Sequence, residues 1–341
     1  MKKQVKEELS PFTGKPMTLH LERRTMEFRK DEITYWHHYY LCEDTKEGVL
    51  TEELIDLNTK QIYNAYRALH RLPFTDEIIA TRNKYGLSAR KMSEVLGMGE
   101  NQYSNYEKGE VPSLTNAKLI QLAAKPREFE HLVKLSEALS DKDREKILLK
   151  VKQAAVEEDN GAQQLEEYIL GVFQTGIFSG YRQPSIERFA LMTGYFAEKL
   201  QPFKVKLCKL LFYADFSHYR KTGFSISGIH YKAINLGPVP NNFDHLFLYA
   251  EERKYITIEC KIFDHSDEER VGVKFLPAQQ PVDKTAFDTA EMETLNEVVQ
   301  YLGKKSTEAI VDISHKELAW VENIGDRKFI SYDYAFKLKG I

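Results

Sequence analysis

The sequence predicts an α+β fold, mainly α-helical, with helices surrounding a small sheet. Three observations carry this. Apolar residues recur at helical spacing through most of the chain after residue 50. Strand-like alternation is confined to the first 50 residues and to two segments between Tyr255 and Leu276. The segment Lys206 to Tyr219 is apolar nearly all round, so other elements must cover it.

A chain of 341 residues exceeds one ordinary core and predicts two or three domains. With 42% hydrophobic and 12% aromatic residues it can bury a sizeable core. Its three cysteines (Cys42, Cys208, Cys260) are far apart and odd in number, which suits a reducing compartment. MKKQVKEELS lacks the apolar run of a signal peptide, and no stretch approaches the roughly 20 apolar residues of a membrane span. A cytoplasmic location without membrane contact is expected. The net charge of −3 excludes a global pull toward nucleic acid, so any such contact must be local.

Residues 1–50 read as a β region. Strands are expected at Thr18–Phe28 and Ile33–Leu41, with Phe12, Met17, Trp36 and Tyr39 holding the hairpin. Residues 51–72 read as a connecting helix. Thr51 caps it, and Leu54, Leu57, Ile62, Ala65 and Leu69 form its stripe before Pro73 ends it.

Residues 73–139 form the second unit. Asp76 is expected to cap a first helix, and Gly86-Leu87-Ser88 breaks it. Ser88 caps a second helix, Gly97-Met98-Gly99 turns, and Asn101–Lys108 makes a third. A short helix, a glycine turn and another short helix fit a helix-turn-helix. In that motif the third helix enters the major groove, which makes Asn101, Gln102, Ser104 and Asn105 the base readers. Arg82, Lys84, Arg90, Lys91 and Lys108 would meet phosphates. Residues 74–138 carry nine basic and nine acidic side chains, so one copy should bind DNA weakly. A homodimer through the N-terminal half is therefore expected. Residues 140–162 read as a charged, solvated linker helix fading into Glu157–Gly161, the expected boundary.

Residues 163–341 form the last domain. Helices are expected near Gln163 and over Pro184–Leu200, Lys206–Tyr219, Asn241–Glu252 and Thr289–Leu302, with a last one capped by Ser306. Ile229–Asn235 reads as a strand. Gly237-Pro238-Val239-Pro240 reads as a stiff turn through which no strand runs. Tyr255–Phe263 and Val271–Leu276 read as hairpin arms linked by His265–Glu269. Asp215 and His218 lie three apart on the central helix, where their side chains can meet as a structural pair. Cys208 reads as a small core residue. No phosphate loop, zinc motif or nucleophile set is recognisable, so no enzyme, cofactor or metal is expected. The tyrosines Tyr213, Tyr219 and Tyr231, with Pro238, read either as core residues or as an exposed patch for a protein partner.

Three stretches resemble known families. Leu210–Asp215, Ser227-Gly228-Ile229, Tyr231-Lys232-Ala233 and Gly237–Pro240, followed by Ser314-His315 and Trp320, resemble the signature of the Panacea, or SocA-like, antitoxin domain. The resemblance spans about residues 165–335. It implies a protein that binds and neutralises a toxin encoded beside it, through Tyr213, Asp215, His218, Tyr219, Tyr231, Pro238, Pro240, His315 and Trp320. The string GLSARKMSEVLGMGENQYSNYEKGEVPS resembles Xre and MqsA-type helix-turn-helix proteins, with Asn105 where an arginine is common. The N-terminal region resembles an MqsA-type zinc domain in which Ser10, Thr13, Cys42 and Thr45 replace two Cys-x-x-Cys pairs. One thiol is too few for zinc, so a metal-free form is expected. Together these imply an antitoxin that represses its own operon. A stand-alone regulator and an adaptor delivering a toxin to a protease are the alternatives, and removal of residues 1–140 should spare neutralisation.

Overall fold

The structure is a computed structural model describing residues 8–158, 162–171, 174–265 and 268–341. The expected boundary at 159–161 and the centre of the charged link at 266–267 lie outside the described residues. The fold is α+β and mainly helical, as the sequence predicts.

Strands β1 (Thr18–Phe28) and β2 (Asp31–Leu41) form an antiparallel hairpin, and β3 (Gly48–Val49) pairs with β2. Arg29 and Lys30 turn the hairpin in the left-handed region, φ 50° and 75°, the conformation that matches strand twist in a two-residue loop. Helix α1 (Glu52–His70) starts at Thr51, whose hydroxyl accepts from Leu54 N at 3.3 Å. Its amides clasp β2: Asn58 bonds the backbone of His38, and Gln61 that of Trp36. Phe12 is 55% exposed, so it does not hold the hairpin. Polar pairing with α1 does that work instead.

The second unit comprises α2 (Thr75–Lys84), α3 (Ala89–Val95), α4 (Gln102–Glu107), α5 (Leu114–Ala123), α6 (Pro126–Leu135) and α7 (Asp141–Glu158). Ser88 caps α3 as expected. Helix α2 begins two residues earlier than the Asp76 cap would place it: Phe74 is the cap residue, and Glu77 turns back to its N–H at 2.7 Å. Asp76 instead accepts from Gln183 N across the molecule, at 2.9 Å. The supposed linker helix α7 belongs to this unit. Ile147, Val151 and Ala154 lie in one buried cluster with Tyr85, Met92, Tyr103 and Phe129. An apolar stripe of helical period buries wherever a matching face exists, however charged its other side.

The third unit contains α8 (Ala162–Leu170), α9 (Ile186–Leu200), α10 (Lys204–Thr222), β4 (Tyr231–Ile234), β5 (Gly237–Pro240), α11 (Phe243–Glu252), β6 (Ile256–His265), β7 (Glu268–Pro277), α12 (Thr289–Leu302), α13 (Thr307–Ser314), α14 (Leu318–Val321) and β8 (Phe329–Ile330). Every residue of α10 from Leu207 to Tyr219 is buried, and Gly223 ends it at φ 76°. The Gly237–Pro240 turn is corrected to a strand: β5 pairs antiparallel with β4, Tyr231 opposite Pro240 and Ala233 opposite Pro238. The sheet order is β5-β4-β8, which puts the prolines on an edge, where a missing N–H leaves no ladder bond unmade.

The units share surfaces. Phe74 stacks on Tyr181 at 5.8 Å, and His38 packs edge-on against Phe336 at 4.6 Å. Arg23 pairs with Asp333 at 2.8 Å. No helix among the described residues is long and apolar enough to cross a membrane.

Candidate functional site

The first candidate surface is the α3–α4 face. Tyr103 anchors α4, its hydroxyl donating to Ile78 O at 2.8 Å and its N–H to Ser93 Oγ at 3.1 Å. That leaves Asn101 and Asn105 exposed and Ser104 half-buried, all available to a base edge. Gln102 donates to Glu110 at 3.3 Å. The basic groups are already engaged. Arg90 pairs with Glu100 at 3.1 Å, and Lys91 with Glu94 at 2.7 Å and Asp143 of α7 at 3.4 Å. Two expected phosphate contacts are architectural instead. Arg82 donates to Glu107 and to Leu87 O, and Lys84 donates to Ala124 O at the end of α5. Lys108 is exposed beside the readers. Exposed ion pairs contribute little, so Arg90 can exchange Glu100 for a phosphate at small cost.

The second candidate is the signature region around α10. Asp215 is buried and saturated. It accepts from Ile226 N and Ser227 N at 2.8 Å each, from Ser227 Oγ at 2.5 Å and from Tyr231 Oη at 2.8 Å. Burial pushes its carboxyl above the usual range, while these donors hold it down. The carboxylate thereby ties the Ser225–Gly228 loop and β4 to the central helix. His218 does not meet Asp215. It faces Thr294 at 3.4 Å, and burial next to Arg182 pushes it down to about 3, so it stays neutral.

The expected aromatic face is not exposed. Tyr213, Tyr219 and Tyr231 are each at most 1% exposed, and Pro238 and Pro240 are buried in β5. A helix apolar all round has no outward side to present its tyrosines, so they turn inward. Tyr213 donates to Glu317 at 3.0 Å, while Tyr219 packs against Tyr332 and Phe336. Of the nine residues carried over from the resemblance, His315 and Trp320 are the half-buried, solvent-reaching pair. Their rings stack at 4.0 Å, and the indole donates to Ile234 O at 2.8 Å. Burial pushes the Cys208 thiol up to about 11, as fits a core residue.

Sequence reasoning missed Lys209 and Glu317. Lys209 is fully buried on α10 and donates to Pro238 O at 2.9 Å, and burial pushes it down to about 8. A lysine within an otherwise apolar helix was the available signal.

At the N-terminus, Ser10, Thr13, Cys42 and Thr45 do converge. Ser10 Oγ lies 3.1 Å and Thr13 Oγ1 3.7 Å from the thiol. Hydrogen bonds, that of Ser10 first and then those of Thr45, lower the thiol to about 6. One thiol and three neutral hydroxyls do not fit tetrahedral zinc. The hydroxyls instead hydrogen-bond the sulfur.

The molecule is thus a helix-turn-helix module built onto a larger helical domain whose marker residues lie in its interior. Residues 78–123 match the helix-turn-helix family, and residues 207–321 match the family described as antitoxin SocA-like, Panacea domain. No curated protein and no solved structure matches the chain.

Proposed function

We propose that the chain is an antitoxin. Its C-terminal domain binds a protein toxin encoded in the same operon and neutralises it by direct contact rather than by turnover. The helix-turn-helix binds operator DNA as a homodimer and represses that operon, in the cytoplasm and without a cofactor. The N-terminal hairpin is a metal-free derivative of a zinc domain. The observation that carries the reading is the Panacea match over residues 207–321, joined in one chain to a helix-turn-helix match. Buried polar residues of that region support it, because Asp215 holds a loop and Lys209 a strand. The test is co-expression with the neighbouring gene. Restored growth and co-purification of its product are expected, and continued growth arrest despite folded full-length chain would overturn the reading.

A second reading, a stand-alone regulator that senses a small molecule, is favoured by one feature. A cavity of about 670 Å³ lies between α2, α5 and the end of α1 on one side and α8 with Gln183 and Pro184 on the other. Glu77 lines it, pushed up to about 7 by burial. A ligand there would touch both units at once.

A further inference from the structure

Residues 338–341 lie in a slot between α10 and the α13–α14 corner, held mainly through their backbone. Glu317, 1% exposed, accepts from Lys339 N at 3.0 Å and from Gly340 N at 2.8 Å. Its remaining partner is the buried Tyr213 hydroxyl. On the other side, Arg220 donates to Ile341 O at 3.1 Å. Leu338 and Ile341 are partly buried against the main core. The position of Gly340 is closed to a side chain. A Cβ there would lie 2.5 Å from Ile313 Cγ2 and 2.6 Å from Tyr213 Oη.

A buried carboxylate is costly unless donors surround it. Glu317 pairs with no cation among the described residues, and all its donors but one are tail N–H groups. The guanidinium of Arg220 likewise faces a tail carbonyl. The slot therefore presents an anion to backbone N–H groups and a cation to a backbone C=O. That is the chemistry of peptide recognition through the main chain, with one steric filter at glycine. Residues 338–341 belong to no strand or helix; these bonds, that from Leu338 N to Ala335 O at 3.3 Å and two apolar side chains hold them.

We propose that this slot is a peptide-docking site, filled in cis by residues 338–341. Resting on the antitoxin reading, its occupant in trans is an extended segment of the toxin with a glycine followed by an apolar residue. That segment displaces the tail, and Tyr213 of the signature acts here by orienting Glu317.

The test uses full-length chain carrying Gly340→Val, whose side chain cannot seat, and a synthetic peptide copying residues 335–341. The variant should bind the peptide at least about tenfold more tightly than the unsubstituted chain does. A peptide with valine for glycine should not bind. Adding Glu317→Gln should weaken binding by roughly tenfold, the scale of one lost charged hydrogen bond. A cooperatively folded Gly340→Val chain that ignores the peptide overturns the slot. Should that variant not fold, hydrogen exchange in the unsubstituted chain decides. Lys339 and Gly340 amides exchanging well before those of α10 support displacement, and equal protection overturns it. The toxin's part is read separately from the growth rescue. The Gly340→Val chain should capture the neighbouring gene product more tightly, and unchanged capture by a chain that still rescues growth removes the slot from toxin binding while leaving the antitoxin reading intact.

Discussion

Replacing Lys209 by methionine should stabilise the fold at neutral pH and flatten its alkaline pH dependence. The ammonium is fully buried with the Pro238 carbonyl as its partner, and burial lowers its pKa from 10.5 to about 8. Between those two values the unfolded chain holds a proton that the folded chain has released, so stability rises with pH. At about 1.4 kcal/mol per pH unit, the burden on the fold is roughly 3 kcal/mol at pH 7.5 and about 1 kcal/mol at pH 9.5. The unsubstituted chain should therefore gain about 2 kcal/mol over that interval relative to the variant. Methionine keeps the unbranched stem but leaves the Pro238 carbonyl without its donor, a loss of about 1–2 kcal/mol. The net expectation at pH 7.5 is a gain of about 1–2 kcal/mol for the variant, closing or reversing by pH 9.5. Urea unfolding of both chains at pH 7.5, 8.5 and 9.5, followed by tryptophan fluorescence, measures this. Other titrations cancel in the difference between the chains. Parallel pH profiles would refute the argument, because they would mean that Lys209 is solvated or paired in the fold.

Asp215→Asn should destabilise by about 3 kcal/mol, because an amide N–H₂ would face the Ser227 and Tyr231 hydroxyls; thermal unfolding reads this, and a near-neutral effect would mean the loop is not held by the carboxylate. Arg90→Ala should lower the slope of log K against log salt for operator binding by roughly 1, and an unchanged slope would remove Arg90 from the phosphate contacts. Elemental analysis should find no stoichiometric zinc. In a chain with Cys208 and Cys260 replaced by serine, thiolate absorbance should titrate near pH 6, which Ser10→Ala should raise; a titration near the ordinary thiol value would contradict the convergence on Cys42.

Local chemistry was legible in the sequence wherever one residue decides an outcome. Thr51, Ser88 and Ser306 cap the helices they should, and Gly223 ends α10. The β1–β2 hairpin and α12 fall where alternation and period place them. What failed depended on partners distant in sequence. Pro238 and Pro240 argue against a central strand, and only the pairing partners reveal that β5 is an edge. The charged face of α7 suggests solvent, yet the helix contributes Ile147 and Val151 to a core that reaches back to Ile78. Tyr213 of α10 and Tyr231 of β4 look like parts of a recognition patch until Glu317 and Asp215 appear as the partners of their hydroxyls.

The expectation that removing residues 1–140 spares neutralisation meets a physical obstacle in α1. Arg67, 1% exposed, donates to Gly109 O at 2.7 Å and Glu110 O at 3.1 Å, just beyond α4. It also donates to Asn64 Oδ1 at 3.2 Å, and the Asn64 amide donates to Gly223 O at 3.3 Å. Four short links thus run from the end of α4, through one buried guanidinium, to the carbonyl at the end of α10. Burying a guanidinium without a carboxylate is expensive, and the cost is tolerated only because carbonyls surround it. Moving either end strands that charge. Cutting the chain at 140 also strips Phe74 from Tyr181 and His38 from Phe336, exposing aromatic surface on the remaining half. The halves named by sequence as separate readers of DNA and protein are therefore built around shared groups. The end of α10 and the end of α4 are thus seated on the same buried side chains, Asn64 and Arg67.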